Sequence, residues 1–279
     1  MKFLIPVCLM MSALTAIAGN EDYPIGARSS ALGNASVAFT DVWSAHHNQA
    51  GLGFVRDISA GVYYENRFLL KEISLRGAAV AVPIRAGTFG LCISNFGYSN
   101  YSENKYSLSF SKSFGDKFSG GIALDYLTTR IAEGYGSSGV AAAEAGITAK
   151  PFKNLVIAAH VFNPTRAKAA DYNDERLPTV IRLGGTYSFS DKVIVAAETQ
   201  KDIARKAEFK AGIEYRATKE FFLRIGVSSN PLLSCFGFGI NLKNFNLDIS
   251  ANYHQTLGIS PQVGLSYTFN QNKKTAPAK

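Results

Sequence analysis

The stretch FNLDISANYH, residues 245–254, sets Phe245, Leu247, Ile249, Ala251 and Tyr253 at every second position, with Asn246, Asp248, Ser250, Asn252 and His254 between them. On a helix these two sets would scatter around the circumference. On an extended strand successive side chains point to opposite faces, so the sets separate into one apolar and one polar surface. FKAGIEYR (209–216) repeats the arrangement, with Phe209, Ala211, Ile213 and Tyr215 opposite Lys210, Gly212, Glu214 and Arg216; YSLSFSKSF (106–114) and VGLSYTF (263–269) do so again. From Asp57 onward period two is the dominant signal.

Two kinds of connection alternate between these segments. PIRAG, GDK, PFKN, SDK, ATKE and KN, beginning at Pro83, Gly115, Pro151, Ser190, Ala217 and Lys243, are short and turn-like, whereas GYSNYSEN (97–104), TRIAEGYGSSG (129–139) and PTRAKAADYNDERLP (164–178) are longer and polar. An up-and-down meander with tight turns at one end and loops at the other has this rhythm. It places strands at 57–65, 72–82, 87–96, 105–114, 117–128, 141–150, 154–163, 179–189, 192–200, 207–216, 220–228, 234–243, 245–254 and 261–269. The expectation is an all-β, antiparallel transmembrane barrel of about fourteen strands, both of its termini on the short-turn side.

Aromatic placement agrees with that frame. Phe114, Phe118, Phe152, Phe189, Phe221, Phe245 and Phe269 fall beside short turns or the end of the last strand, and Tyr63, Tyr106, Tyr126 and Tyr253 fall near long loops. Two aromatic girdles are what the interfaces of a bilayer select. A soluble sandwich would have to explain an apolar face with almost no charge, Lys112 being the main exception.

Composition sets the outer bounds. The chain has 279 residues, 47% hydrophobic and 18% charged, so disorder is not expected. The opening MKFLIPVCLMMSALTAIAGN has the basic start, apolar run and Ala16-Ile17-Ala18 site of a signal peptide, with cleavage expected after Ala18 and no lipidation of Cys8. No later run of about 18 apolar residues occurs, so membrane insertion would use strands. Cys92 and Cys235 read as small buried hydrophobes, too few for a disulfide framework. The net charge of +8 is spread singly over alternating segments. That distribution points to anionic lipid headgroups as the partner and away from nucleic acid.

The polar faces carry Arg76, Asp125, Glu144, Arg182, Glu198, Lys210, Glu214, Arg216, Arg224 and Asp248, all expected to face the lumen. Both signs are interleaved, so they can pair across neighbouring strands. A structural network and a charged substrate path remain alternative roles.

Residues 19–56 do not alternate. GARSSALGNASVAFTDVWSAHHNQAGLG is rich in small residues, with short helical runs possible at 27–31 and 41–47. A barrel of about fourteen strands encloses more space than its own side chains fill. The segment is therefore expected to fold inward as a plug, giving a signal peptide at 1–18, a plug at 19–56, a barrel at 57–269 and a flexible periplasmic tail at 270–279.

GARSSALGNASVAFTD (26–41) followed by NQAGL (48–52) resembles the N-terminal signature of the FadL-like outer-membrane barrels, especially their PorV/PorQ branch from Bacteroidetes. The matching positions are Gly26, Ala27, Arg28, Ala31, Gly33, Ala35, Asp41, Asn48, Ala50, Gly51 and Leu52. Gln49 stands where that family's NPAGL motif has proline, which implies a less rigid turn. The resemblance implies a fourteen-stranded barrel with an N-terminal hatch in the outer membrane of a Gram-negative cell. It implies either passage of small or hydrophobic molecules or, as in the PorV/PorQ branch, a part in type IX-like protein secretion or surface assembly through a protein partner. In the fatty-acid transporters ligands leave through a kink in the third strand; here AGTFGLCISNFG supplies Gly87, Gly90 and Gly97 for such a bend. A partner protein would meet the 166–176 loop.

Catalysis and cofactors are not expected. His46 and His47 are adjacent and lack the i, i+4 spacing of a helical metal pair, and His160 and His254 stand singly in strands. Ser250, Asn252 and His254 share a face, but same-face neighbours on a strand lie about 7 Å apart. GxSxG, HExxH and phosphate-loop patterns do not occur.

Overall fold

The computed structural model describes residues 23–132, 136–168 and 176–269. The expected signal peptide, the tail and the centre of the 164–178 loop lie outside the described residues. The strands are β1 (Ile58–Asn66), β2 (Ser74–Ile84), β3 (Gly87–Gly97), β4 (Tyr101–Phe114), β5 (Phe118–Ile131), β6 (Gly136–Phe152), β7 (Leu155–Phe162), β8 (Val180–Ser188), β9 (Val193–Asp202), β10 (Glu208–Arg216), β11 (Phe221–Ser229), β12 (Leu232–Leu242), β13 (Phe245–His254) and β14 (Gly258–Phe269). Each pairs antiparallel with its neighbours in sequence, and β1 closes onto β14 from Ile58↔Phe269 to Glu65↔Gln262. The result is a closed fourteen-stranded barrel with both ends of the sheet at the short-turn rim.

Every expected strand is present. The largest differences are at β4, β5 and β6, which run on into the expected loops, pairing Tyr101↔Ile131 and Ile131↔Gly136. Apolar alternation marks only the part of a strand that lipid touches. The hydrogen-bonded ladder can continue into water with polar side chains, and 97–104 and 129–139 are partly of this kind.

Parity separates the two surfaces. Along β4, Ser107, Ser109 and Ser111 are buried while Leu108 is 57% exposed; on β5, Leu124 is 69% exposed beside buried Asp125. Phe114, Phe118, Phe152, Phe189, Phe245 and Phe269 are exposed at the short-turn end, and Tyr106, Tyr126 and Tyr253 are exposed nearer the loops. So continuous an apolar exterior requires lipid around it. Lys112 is exposed two residues before the end of β4, close enough to the rim for its ammonium to reach water.

Two expected orientations are corrected. Tyr63 faces inward at 4% exposure, its ring edge-on to Trp43, and the neighbouring Tyr64 takes the outward position. A one-residue difference in phase exchanges the faces, and adjacent tyrosines give no local cue to the phase. Arg76 is exposed on the outer face, in phase with Ala78 and Val80; Leu75, Ala79 and Ala81 are the buried residues of β2. The third strand carries no bulge: its ladders run without a register shift from Gly87 to Phe96 against β2 and from Thr88 to Gly97 against β4.

Replacing Leu124, near the middle of the lipid face, by Lys is expected to cost about 2–4 kcal/mol in reversible denaturant unfolding from vesicles. Phe114→Lys, at the rim, should cost about 1 kcal/mol or less. Equal costs at the two positions would contradict the assigned membrane span.

Candidate functional site

Residues 23–56 lie inside the barrel. They form α1 (Ala27–Ala31), α2 (Ser44–His47) and a 3₁₀ turn (Gln49–Phe54), joined by irregular backbone. Ile25, Val42 and Trp43 pack on the inner faces of β1 to β3 at Tyr63, Leu75, Ala79, Ala81 and Cys92, while Leu32, Ala35 and Phe39 meet Ala196 on the far side. Backbone runs directly on backbone at Gly33, which has φ of 68° and where a Cβ would strike the main chain of Val227. At Gly146 a Cβ would overlap the Asn48 side chain. The glycines thus let a segment too small to carry a core of its own borrow the wall's.

Three groups of buried charge tie this segment to the wall. Glu214 receives a bidentate pair from Arg28, with Nε to Oε2 at 2.8 Å and Nη2 to Oε1 at 2.9 Å; its Oε2 also accepts from Arg224 Nε at 2.7 Å. Arg224 Nη1 continues to Asp248 at 2.6 Å, and Arg28 Nη1 reaches Asp41 at 3.4 Å. Burial lifts the Asp41 carboxyl above the usual range, against the pull of Arg28 and of the Trp43 N–H that it accepts.

Glu198 on β9 accepts the backbone N–H groups of Ser36 and Val37, each at 2.8 Å, through Oε2. Its Oε1 faces Lys210 at 3.4 Å and Arg182 at 3.9 Å, and both cations also donate to Gln200. Glu144 on β6 meets Lys105 at 2.5 Å and His160 at 2.9 Å and accepts from the amide of Gln49; Asp125 lies 3.9 Å from Lys105. Eight of the ten residues expected in the lumen therefore enter this network. Arg76 does not, and Arg216, although in phase with Lys210 and Glu214, is exposed at the short-turn rim with its guanidinium 5.2 Å from the centre of the Phe222 ring. Lys105 belongs to the network and was not singled out from sequence, although its alternation with Ser107, Ser109 and Ser111 would have found it.

The motif residues have separate tasks. Asn48 caps the 3₁₀ turn by accepting from Ala50 N at 3.2 Å and donates to Val37 O at 2.9 Å and Thr148 Oγ1 at 3.3 Å. Ala50 and Leu52 are fully buried, and Gly51 sits where a Cβ would meet Ser44 Oγ at 2.6 Å. Gly26, with φ of 100°, turns the chain into α1. Gln49 replaces the expected rigidity of proline with a side-chain anchor on Glu144. His46 shares a hydrogen bond with Tyr23 O at 2.8 Å, and the His47 carbonyl accepts from Arg182 at 3.5 Å. Among the described residues no cluster of three or more metal-ligating side chains occurs. Ser250 donates to Gln262, Asn252 donates to Ser30, and His254 Nδ1 accepts from the N–H groups of Thr256 and Leu257, so the three are engaged separately. Cys92 and Cys235 are buried and form no disulfide.

Above the N-terminal segment, at the loop end, a cavity of about 650 Å³ opens. Its floor includes Tyr23, Ser30 and Asn34, and its walls carry Phe68, Leu177, Val180, Ile203, Leu233 and Leu257. Charged side chains are interspersed, among them Glu65, Arg67, Asp202, Glu208 and Lys210. Arg67 is stacked on the rings of Tyr23 and Phe96 and pairs with Glu65 at 3.2 Å, fixing one edge of the floor. The described part of the 164–178 loop turns inward: Leu177 is buried with Phe162, Val180 and Leu127, and Asn163 donates to the carbonyls of Leu177 and Pro178.

No protein-family model and no curated protein sequence matches the chain. Solved structures to which it is similar include the CymD monoaromatic hydrocarbon channel, at 14% identity and a TM-score of 0.66 over 88% of this chain and 97% of that one. The toluene transporter TbuX of Ralstonia pickettii aligns at 14% identity and a TM-score of 0.66 over 87% and 97% of the two chains. A FadL homologue of Pseudomonas aeruginosa aligns at 12% identity and a TM-score of 0.61 over 88% and 98%. At these identities the shared property is the fold.

Gln49→Ala is expected to cost about 1.5–3 kcal/mol, because it removes a hydrogen bond to a buried carboxylate. Hydrogen exchange at residues 44–54 should accelerate while the strands stay protected. Unchanged exchange there would show that the Gln49 anchor carries no weight.

Proposed function

We propose that the chain is an outer-membrane channel for small hydrophobic molecules, with residues 23–56 as its hatch. The observation that carries this is the cavity at the loop end, which opens outward, is floored by the hatch itself and sets the apolar side chains Phe68, Leu177, Val180, Ile203, Leu233 and Leu257 among polar and charged ones. A solute captured there has the hatch between it and the periplasm. The N-terminal resemblance and the hydrocarbon channels among the fold neighbours support the same class of cargo.

The hatch touches the wall through buried polar groups on β6, β9 and β10 and through apolar packing on β1 to β3, so passage requires it to rearrange or a side exit to open. With both of its ladders unbroken, β3 offers no ready exit at the place where the fatty-acid transporters have theirs. Movement of the hatch is the simpler route, because its anchors are a few hydrogen bonds and ion pairs that water can replace one at a time. The three charge groups serve on this reading as the latch and not as a path for charged solute, since each carboxylate already has cationic partners.

A second reading, a PorV/PorQ-like secretion or assembly component bound to a protein partner, draws on Leu69 and Leu70, which are 60% and 53% exposed in the β1–β2 loop. The fold neighbours described above lend it nothing. It would be favoured if the native barrel co-purified with a fixed partner and were closed to solutes.

Vesicles containing the barrel are expected to take up toluene faster than empty vesicles, and Leu233→Lys, which places a charge in the cavity wall, should slow uptake several-fold without unfolding the barrel. Uptake equal to that of empty vesicles would overturn the channel proposal.

A further inference from the structure

On the outer surface of β2 to β5 the side chains change character along cross-strand rows. Leu91, Leu108 and Leu124 are register partners, all exposed to lipid. Two residues nearer the loops the row reads Ile93, Tyr106 and Tyr126, where the tyrosines mark an interface. The next row is wholly polar: Arg76, Asn95, Asn104 and Thr128 are successive partners on four strands. They are joined side chain to side chain, Arg76 Nη1 to Asn95 at 3.4 Å, Asn95 Nδ2 to Asn104 at 2.8 Å and Asn104 Nδ2 to Thr128 at 3.2 Å.

Arg76 is the charged end of this row. Its hydrogen-bond partners are neutral, Asn95 and Ser74, and among the described residues no carboxylate lies within ion-pair distance. Every cation of the inner network has a carboxylate partner, so an exposed, uncompensated guanidinium at the lipid–water seam is a departure from the pattern of this molecule. Guanidinium favours phosphate through paired N–H donors, and the amides beside it retain an N–H and lone pairs for hydroxyl groups. Arg130 lies on the same face one row further out, between Ser102 and Ser137, and is also exposed.

We propose that the row Arg76–Asn95–Asn104–Thr128 is a docking site for a phosphorylated glycolipid of the outer leaflet, with Arg76 on a headgroup phosphate and the amides on sugar hydroxyls. The acyl chains of such a lipid would lie over Ile93, Leu108 and Leu124 directly below. This rests on the membrane-spanning reading above, with the loop end outward.

The test is native mass spectrometry of the full barrel in detergent, titrated with diphosphorylated lipid A, with the same lipid stripped of phosphate, and with inorganic phosphate. The wild type should retain the diphosphorylated lipid. Arg76→Gln should weaken it about tenfold, the size expected for a charge-assisted hydrogen-bond pair. Arg76→Lys should fall between, and Lys112→Gln, an outward cation at the opposite rim, should bind as the wild type does. The proposal is overturned if Arg76→Gln binds as tightly as wild type, if the phosphate-free lipid binds equally well, or if inorganic phosphate displaces the lipid at similar concentration. Heat-modifiable gel mobility verifies that each variant is folded. Flotation of the wild type with vesicles tests the membrane reading by itself, so a chain that floats but shows no preference for phosphate defeats this inference alone.

Discussion

Three wall carboxylates, Glu144, Glu198 and Glu214, hold the interior together, because each is shared between cations of the barrel and donors of the N-terminal segment. A fourteen-stranded barrel has too large a bore for its own side chains to fill, and inward charges left in such a space must find partners. Here the partners come from two directions. Arg182, Lys210 and Arg224 reach across from neighbouring strands and Lys105 from two strands away, and Gln49, the Ser36 and Val37 amides and Arg28 reach out from the centre. Wall and N-terminal segment therefore share one polar network, in which each wall carboxylate also keeps a cationic or imidazole partner of the barrel itself. The three attachment points lie on β6, β9 and β10, while the opposite side of the hatch is held by apolar packing on β1 to β3. Apolar packing also reaches Ala158 and Ala196 on the charged side, so directional bonds and contact area act together there.

Much of this was readable in the residues. Alternation over ten positions, as at 245–254, leaves no choice of period, and the rhythm of short and long connections sets strand count and closure. The inward direction of Glu214 followed from the same alternation, since a lone carboxylate among Ile213 and Tyr215 has only one face open to it. Legibility ended where alternation lost its contrast. SLRGAAVAV reads equally well in either phase because alanine and glycine tolerate both environments, and only tertiary packing at Leu75 and Ala79 decides that Arg76 points outward. Tyr63 and Tyr64 pose the same problem in two residues.

The hatch was legible as composition and not as geometry. Small residues and the lack of alternation placed it inside the barrel, but which donor meets which carboxylate depends on sequence separations such as the 95 residues from Gln49 to Glu144 or the 186 from Arg28 to Glu214. No local rule spans such distances. Gln49 is the instructive case. As a departure from a proline-containing motif it implied a looser turn, whereas its amide anchors that turn to the wall, so rigidity of the backbone has been exchanged for a polar contact that can be broken and remade.

That exchange bears on the proposed channel. Under that proposal a proline would hold the turn in every state of the segment, whereas a hydrogen bond to Glu144 holds it only while the segment is seated. Glu144 keeps Lys105 and His160 when Gln49 leaves, so opening costs one hydrogen bond and does not strand a buried charge. The same holds at Glu214, which retains Arg224 when Arg28 departs. At Glu198, Lys210 and Arg182 remain. At all three points the wall carboxylate keeps a partner on the barrel itself, which is the condition that the proposed movement of the segment requires.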